Sequence, residues 1–166
     1  MMLFNLDMKT VFVLLALGHL FTVLLITAYR KGQPRDAAVN SFYAYGHDAG
    51  DDALRDLAAK MREKLREADL LGRYGGDEFA IMLPGADEQA SAGFAEALRL
   101  SVEQGGEGLP LAYSISMGVV TTVPTPGVPL ERLYKSSDIA LYRAKQGGRN
   151  RVARGRIDGM AERVME

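Results

Sequence analysis

A short glycine-containing segment between two apolar runs limits the possible folds of this chain more than any other feature. The segment Arg73–Phe79 has the sequence RYGGDEF, with Leu70 and Leu71 before it and the apolar run Ala80–Leu83 after it. Two glycines between strand-like runs are typical of a tight β-hairpin, because glycine readily adopts the positive φ angles that such turns need. The sequence therefore predicts a hairpin with strands over Leu71–Tyr74 and Asp77–Leu83.

The residues of this turn also suggest chemistry. Asp77 and Glu78 are poor strand formers, and adjacent carboxylates repel each other, so folding alone does not explain them. Bare backbone at Gly75 and Gly76 beside paired acids suits a metal-bound phosphate, since oxygen ligands hold a hard cation. The alternative is a solvated hairpin that arose by chance, and only the flanking sequence separates the two interpretations.

Composition narrows the class of protein. The chain has 166 residues, a net charge of −1 and no cysteine. This length corresponds to one domain. The near-neutral charge offers no basic surface for nucleic acid, so we expect no nucleic-acid partner. The lack of cysteine excludes disulfides and thiolate metal sites.

The N-terminal segment is strongly apolar. Val11–Ala28 contains no charged residue and is long enough for a short membrane-spanning helix, which assigns residues 1–30 to a membrane segment. The run ends at Tyr29–Lys31 rather than at a signal-peptide cleavage site. Arg30, Lys31 and Arg35 are basic residues that follow the apolar run, and by the positive-inside rule they place the C-terminal side in the cytoplasm. We therefore expect a single-pass anchor in the inner (cytoplasmic) membrane, followed by a linker over residues 31–40.

The remaining sequence alternates between helical and strand-like periodicity. Apolar residues at helical spacing predict helices over Asp51–Ala68, from Asp87 to about Glu103, and over Leu130–Gln146. Leu111–Val119 has the pattern of a strand, and a short last strand follows at Arg151 and Val152. This order predicts an α+β fold in which helices pack against a sheet.

Three motifs together resemble a known family. Tyr45–Asp51 is similar to a YGHxxGD segment, and RYGGDEF follows it. Asp138–Lys145 and Gly148–Asn150 then resemble a DxALYxAKxxGRN segment. In this order the motifs resemble the GGDEF family of diguanylate cyclases. The resemblance implies an antiparallel, nucleotidyl-cyclase or palm-like sheet with packed helices over residues 41–154, followed by a tail over 155–166.

The resemblance implies a reaction and its catalytic residues. The family joins two GTP molecules into cyclic di-GMP with Mg²⁺, and two domains must meet, so it implies a homodimer. By position, Asp77 and Glu78 would be catalytic and would bind the metal. Gly75 and Gly76 would bind the substrate by letting the nucleotide lie on the turn.

Further residues are implied to bind nucleotides. Asp51 would accept hydrogen bonds from guanine, and Lys145 and Arg149 would contact phosphates; the alternative for this last pair is a basic helix end that complements the helix dipole. Arg66 and Asp69 match the family's RxxD product-inhibition site. Their alternative is an ordinary surface ion pair at i,i+3 spacing on a helix.

The resemblance also predicts a truncated domain. The segment before Tyr45 does not match the family's first strand with its metal-binding Asp, and Phe42 and Tyr43 stand where the family has Asn-Asp. We therefore expect either a diguanylate cyclase with an incomplete metal site or a non-catalytic, membrane-anchored module that binds cyclic di-GMP or GTP. A third possibility is an interaction module that pairs with relatives through the membrane helix.

Overall fold

The protein folds into three helices and five strands over the residues that can be described. The computed structural model describes residues 21–30, 47–105, 112–123 and 130–157. The helices are α1 (His47–Lys64), α2 (Glu88–Gln104) and α3 (Leu130–Gln146). All three helices were predicted, and α3 has the predicted bounds. The Asp87 carboxylate caps α2 by accepting a hydrogen bond of 2.7 Å from the Ala90 amide.

The strands form one mixed sheet. They are β1 (Phe21–Arg30), β2 (Leu70–Gly75), β3 (Glu78–Pro84), β4 (Tyr113–Thr122) and β5 (Val152–Gly155). Their order across the sheet is β2-β3-β1-β4-β5. All neighbouring strands are antiparallel except β4 and β5, which are parallel. This arrangement confirms the predicted α+β fold.

The predicted membrane helix is wrong, because the second half of the apolar run is the central strand of the sheet. In β1, Ile26 pairs with Phe79 of β3 on one side and with Met117 of β4 on the other. Leu24 and Ile26 are both 0% exposed. A strand that is buried on both faces has a continuous apolar sequence, which periodicity alone cannot distinguish from an apolar helix.

The membrane location predicted from this helix is therefore also unsupported. None of the helices in the described part of the chain is long and apolar enough to span a bilayer. Residues 1–20 and the predicted linker over 31–40 lie outside the described residues. The predicted tail is described only as far as Ile157, which is buried against Val120 and Leu133.

The prediction of a truncated sheet is corrected in the same way. The family's first strand was expected to be missing, yet β1 occupies the centre of the sheet and provides ladder partners for both β3 and β4. Its sequence, FTVLLITAYR, nevertheless contains no acidic residue. In the register with β3, Thr27 lies opposite Glu78. The strand is thus present, whereas a carboxylate from it is not.

Helices cover both faces of the sheet. The apolar faces of α1 and α2 pack with Leu24, Ile26 and the buried residues of β3 and β4 in the main core. On the other face, α3 lies directly on β4 at Gly118. A Cβ atom at Gly118 would lie 2.2 Å from the Ser137 carbonyl oxygen and 2.3 Å from the Leu141 amide nitrogen. This close approach fixes α3, and the residues at its C-terminal end, relative to the sheet.

Candidate active site

The centre of the candidate site is the turn between β2 and β3. Gly76 and Asp77 form this turn, and Gly76 has a φ angle of 21°. No atom lies within 4 Å of the position that a Cβ would take at Gly75 or Gly76. The backbone of the turn is therefore open, as an approach by phosphate oxygens requires.

Arg73 holds the turn in place from within the hairpin. Its Nε and Nη2 atoms donate hydrogen bonds of 2.9 and 2.6 Å to the Gly76 carbonyl oxygen. The same guanidinium lies 5.9 Å from the ring centroid of Phe79, which is buried. Stacking on an aromatic ring adds to the hydrogen bonds. The turn is thus supported by a charged side chain before any ligand binds.

An irregularity in β2 exposes Tyr74. The register with β3 shifts between Arg73 and Gly75, which is the pattern of a β-bulge. The Tyr74 side chain is 66% exposed, and its ring centroid lies 5.0 Å from that of Tyr134 in α3. Burial and then the hydrogen bond with Tyr74 raise the pKa of the Tyr134 hydroxyl. The contact between the two rings therefore joins the β2–β3 hairpin to α3.

Glu78 and Lys145 meet across the cleft between the hairpin and α3. The Lys145 Nζ atom lies 3.8 Å from Glu78 Oε1, and their side chains are 32% and 43% exposed. A small open cleft lies beside this pair. Its lining residues are Ile26, Tyr74, Glu78, Phe79, Tyr134, Asp138 and Leu141. The structure therefore brings together two predicted site residues that are far apart in sequence.

The carboxylates at the turn are suited to an ion that arrives with a nucleotide. Asp77 is half-buried, and within the described residues its carboxylate has no hydrogen bond or ion pair. The described parts of the chain contain no group of three Asp, Glu, His or Cys residues that could hold a metal by themselves. Mg²⁺ commonly binds through one or two carboxylates together with substrate phosphates, so Asp77 and Glu78 fit such an ion.

The second predicted phosphate contact follows the end of α3. Gly147 closes the helix by donating 2.8 Å to the Arg143 carbonyl oxygen, which confirms the predicted helix end. Three consecutive positive φ angles follow, 116° at Gly148, 61° at Arg149 and 46° at Asn150. Arg149 is half-buried, and its amide donates 3.1 Å to the Ala144 carbonyl oxygen.

The predicted product site lies in a turn and not on a helix. Because α1 ends at Lys64, Arg66 and Asp69 fall in the connection to β2. Arg66 Nη2 donates 2.8 Å to Asp69 Oδ1 and 3.1 Å to the Pro84 carbonyl oxygen. The hydrogen bond and charge of Asp69 raise the pKa of Arg66. The Asp69 side chain is 2% exposed and that of Arg66 is 60% exposed, so the pair presents a guanidinium to solvent.

The predicted guanine contact stands apart from the other residues. Asp51 is exposed near the start of α1, and no described contact joins it to the hairpin. Three polar residues of the cleft were not predicted as site residues, namely Tyr74, Tyr134 and Asp138. Tyr74 lies inside the RYGGDEF segment, and Tyr134 precedes Asp138 by one helical turn, so helical spacing from the third motif could have identified both α3 residues.

Comparisons with known sequences agree with the motifs. The profile of the family described as "Diguanylate cyclase, GGDEF domain" matches residues 40–151. Diguanylate cyclase DgcM of Escherichia coli K12 is 36% identical over 139 residues, covering 83% of this chain and 32% of that protein. Diguanylate cyclase A of Treponema denticola is 32% identical over 161 residues, covering 89% of this chain and 42% of that protein.

Solved structures share the fold. The active GGEEF domain of a diguanylate cyclase from Vibrio cholerae superposes with a TM-score of 0.73 at 25% identity, covering 89% of this chain and 90% of that one. The GGDEF domain of DgcB from Caulobacter crescentus, solved in complex with c-di-GMP, gives a TM-score of 0.71. The comparison with DgcB covers 88% of this chain and 84% of that one at 23% identity, and it therefore supports the fold alone.

The extent of these matches defines what they establish. The chain spans about a third of the length of E. coli DgcM, 32%, so the activity of that whole protein is not carried over with the match. The family profile, in contrast, covers most of this chain and includes all three motifs found in the sequence. This chain belongs to the GGDEF domain family of diguanylate cyclases.

Proposed function

We propose that this chain condenses two molecules of GTP into cyclic di-GMP, with one GTP bound to each of two copies of the domain and with Mg²⁺ as cofactor. The observation that carries the proposal is the 3.8 Å approach of Lys145 Nζ to Glu78 beside the open Gly76–Asp77 turn. A cation and a carboxylate at the rim of bare backbone form a place for a metal-bound triphosphate. The names of the similar proteins point to the same reaction.

Each residue of the site has a proposed role. Gly75 and Gly76 let the phosphates lie against the backbone, for which the absence of nearby atoms leaves room. Asp77 and Glu78 would hold the metal ion, which when bound neutralises charge on the phosphoryl oxygens and favours in-line attack. Lys145 would then exchange its contact with Glu78 for a phosphate oxygen.

The remaining nucleotide contacts complete the proposal. Arg149, two residues after the Gly147 helix end, would bind a second phosphate oxygen, and Asp51 would accept hydrogen bonds from guanine. The 3′-hydroxyl oxygen of each GTP bonds to the α-phosphorus of the other. The bond from that phosphorus to the leaving pyrophosphate breaks, and the hydroxyl proton is released, with Asp77 as its proposed acceptor. Two phosphodiester bonds form and two pyrophosphates leave.

The sheet supports a different extent for the domain from the one predicted. β1 is the central strand and pairs with both β3 and β4. We therefore propose that the GGDEF domain of this chain begins no later than Phe21 rather than at residue 41. Its C-terminal side includes β5 and reaches Ile157, which is 9% exposed. We further propose that two such domains form the active homodimer, because the reaction needs two nucleotides face to face.

Product formation tests the proposal. The purified chain is incubated with GTP and Mg²⁺, and cyclic di-GMP is separated by chromatography. We expect product from the wild type and a loss of at least about a hundredfold in Asp77→Asn, since removing one preorganised charge at a reacting centre costs about this much. Glu131→Gln, an exposed acid in the first turn of α3, is the matched control and should retain activity. A folded wild type that forms no cyclic di-GMP refutes the proposal.

Two observations favour a second function, the non-catalytic binding of cyclic di-GMP. β1 contributes no carboxylate to the metal site, and Asp69 presents the exposed Arg66 guanidinium in a defined orientation. Arginine forks bind phosphate bidentately. Titration with cyclic di-GMP distinguishes the functions: binding that is lost in Arg66→Ala, from a chain that makes no product, supports the receptor. Binding that survives in Arg66→Ala excludes this site.

A further inference from the structure

We infer that Arg99 and Glu103 of α2 are positioning residues that hold Asn150 and thereby place Arg149 to receive a phosphate. This inference rests on the proposed function, because GTP is the proposed source of that phosphate. Neither α2 residue lies on the cleft between the hairpin and α3. Their influence would pass entirely through the turn that follows α3.

The side chain of Asn150 is held at both ends of its amide group. Arg99 Nη1 donates 3.2 Å to Asn150 Oδ1, and Asn150 Nδ2 donates 2.6 Å to Glu103 Oε1. Arg99 Nη1 also donates 2.7 Å to Glu103 Oε2, which closes a ring of three side chains. An amide whose oxygen and nitrogen both have charged partners has one preferred orientation.

Arg99 is itself held firmly. Its Nε and Nη2 atoms donate 2.8 and 2.7 Å to Glu96 Oε1, and its side chain is only 12% exposed. Two glutamates at i−3 and i+4 on the same helix therefore orient the guanidinium before it reaches Asn150. Such a group acts as a fixed point, since moving it would break three hydrogen bonds to carboxylates from a side chain that is largely buried.

The backbone held by Asn150 is in an uncommon conformation. The φ angles of 61° at Arg149 and 46° at Asn150 lie in the left-handed region, which disfavours arginine and is tolerated by asparagine. A chain segment keeps such angles when its surroundings impose them. The ring of Arg99, Glu103 and Asn150 provides that restraint from one side, and the hydrogen bond from Arg149 to Ala144 provides it from the other.

A purely structural role is the competing explanation, in which the ring only joins α2 to the turn. The two explanations differ in one respect. If the ring positions Arg149, its loss must weaken GTP binding only when Arg149 is present. If the ring is purely structural, its loss lowers stability, and any effect on GTP binding is the same with and without Arg149. A double-mutant cycle separates these cases, because sites that act through one another are not additive.

The experiment uses the full chain, four single variants and one double variant. Arg99→Met removes the guanidinium that bonds to Asn150 and Glu103. Asn150→Gly removes the side-chain amide of Asn150, and glycine still permits the positive φ angle at this position. Glu88→Gln is the matched control, since the Glu88–Arg154 ion pair of 3.5 Å also joins α2 to the segment after α3 but lies at an exposed place. Arg149→Ala, alone and combined with Arg99→Met, completes the cycle.

Two measurements are made on each variant. The first is the dissociation constant for GTP in Mg²⁺, obtained by calorimetric titration. We expect it to rise about tenfold in Arg99→Met and Asn150→Gly, and not in Glu88→Gln, because a small misplacement of a binding group costs this much or more. We also expect no further rise when Arg99→Met is added to Arg149→Ala.

The second measurement is hydrogen exchange at the Arg149 amide, followed by NMR. We expect exchange about tenfold faster in Arg99→Met and Asn150→Gly and unchanged in Glu88→Gln, since the hydrogen bond to Ala144 depends on the turn. Unchanged exchange refutes the ring as a restraint whether or not GTP binds. Additive effects of Arg99→Met and Arg149→Ala on GTP affinity refute the positioning role. A folded wild type without GTP affinity refutes the proposed function instead.

Discussion

The assignment of β1 to the centre of the sheet makes a strong prediction for Leu24. This side chain is 0% exposed and its residue pairs with Ile81 on one side and Val119 on the other. Replacing a fully buried leucine by alanine costs about 2–5 kcal/mol, and a central position with core neighbours on both sides favours about 3 kcal/mol. This is a large part of the about 5–15 kcal/mol by which domains are stable.

Urea denaturation followed by circular dichroism measures this loss. The free energy of unfolding of a small domain falls by about 2 kcal/mol per molar urea, so a loss of about 3 kcal/mol in Leu24→Ala should lower the urea midpoint by about 1.5 M. Leu100→Ala is the matched control, since Leu100 lies on α2 and is 37% exposed, and it should cost less than about 1 kcal/mol. If Leu24→Ala shifts the midpoint no more than Leu100→Ala, β1 is not part of the folded core and the correction of the membrane helix fails.

Three further predictions follow from single positions. Gly118→Ala should cost about 3 kcal/mol or more in urea denaturation, because its Cβ would overlap the backbone of Leu141; an unchanged midpoint would refute the close contact of α3 with β4. Burial, and then the hydrogen bond to Asp56, raise the pKa of Tyr113 above its ordinary value, so its contribution to stability is complete below about pH 10 and is lost as the pH rises further. Tyr113→Phe should therefore lessen the fall of the urea midpoint above that pH, and an equal fall in both proteins would contradict this. Thr27→Asp should lower the Mg²⁺ concentration needed for GTP binding, because residue 27 lies opposite Glu78, and an unchanged requirement in titrations would count against a metal at Glu78.

Local sequence signals predicted most of the fold. The Gly75–Gly76 pair predicted the hairpin, and Gly147–Gly148 predicted the end of α3, because these turns depend on backbone angles that few residues adopt. The capping role of Asp87 depends on its own helix alone. Such features involve neighbours in sequence and can be recognised without knowledge of the tertiary structure.

The errors arose where tertiary contacts decide the structure. The apolar run that includes Leu24 and Ile26 fits a membrane helix as well as a strand buried on both faces, and only pairing with β3 and β4 separates the two. The helical spacing of apolar residues extended the predicted α1 to Ala68, whereas the helix ends at Lys64. Arg66, beyond that end, contacts Asp69 and the Pro84 carbonyl oxygen. The spacing of Arg66 and Asp69 indicates their ion pair, but no local pattern indicates the contact with Pro84 or the pairing of β1.

The candidate site divides in the same manner. The motifs identified Glu78 and Lys145, and the structure brings these two together. The contacts of Arg99 with Asn150 join residues that are distant in sequence, so neither spacing nor charge pattern indicates them. The roles assigned to the predicted site residues all stay predictions, those of Asp77, Glu78 and Lys145 included.

The central claim is that two copies of this chain join two GTP molecules across facing hairpins. It is tested most directly by measuring cyclic di-GMP formation per molecule of protein over a wide range of protein concentrations, with GTP and Mg²⁺ in excess. The account predicts that this specific activity rises with protein concentration until dimers are saturated, and that Asp77→Asn abolishes it at every concentration. A folded chain that yields no cyclic di-GMP at any concentration, or whose product formation survives in Asp77→Asn, would contradict the account.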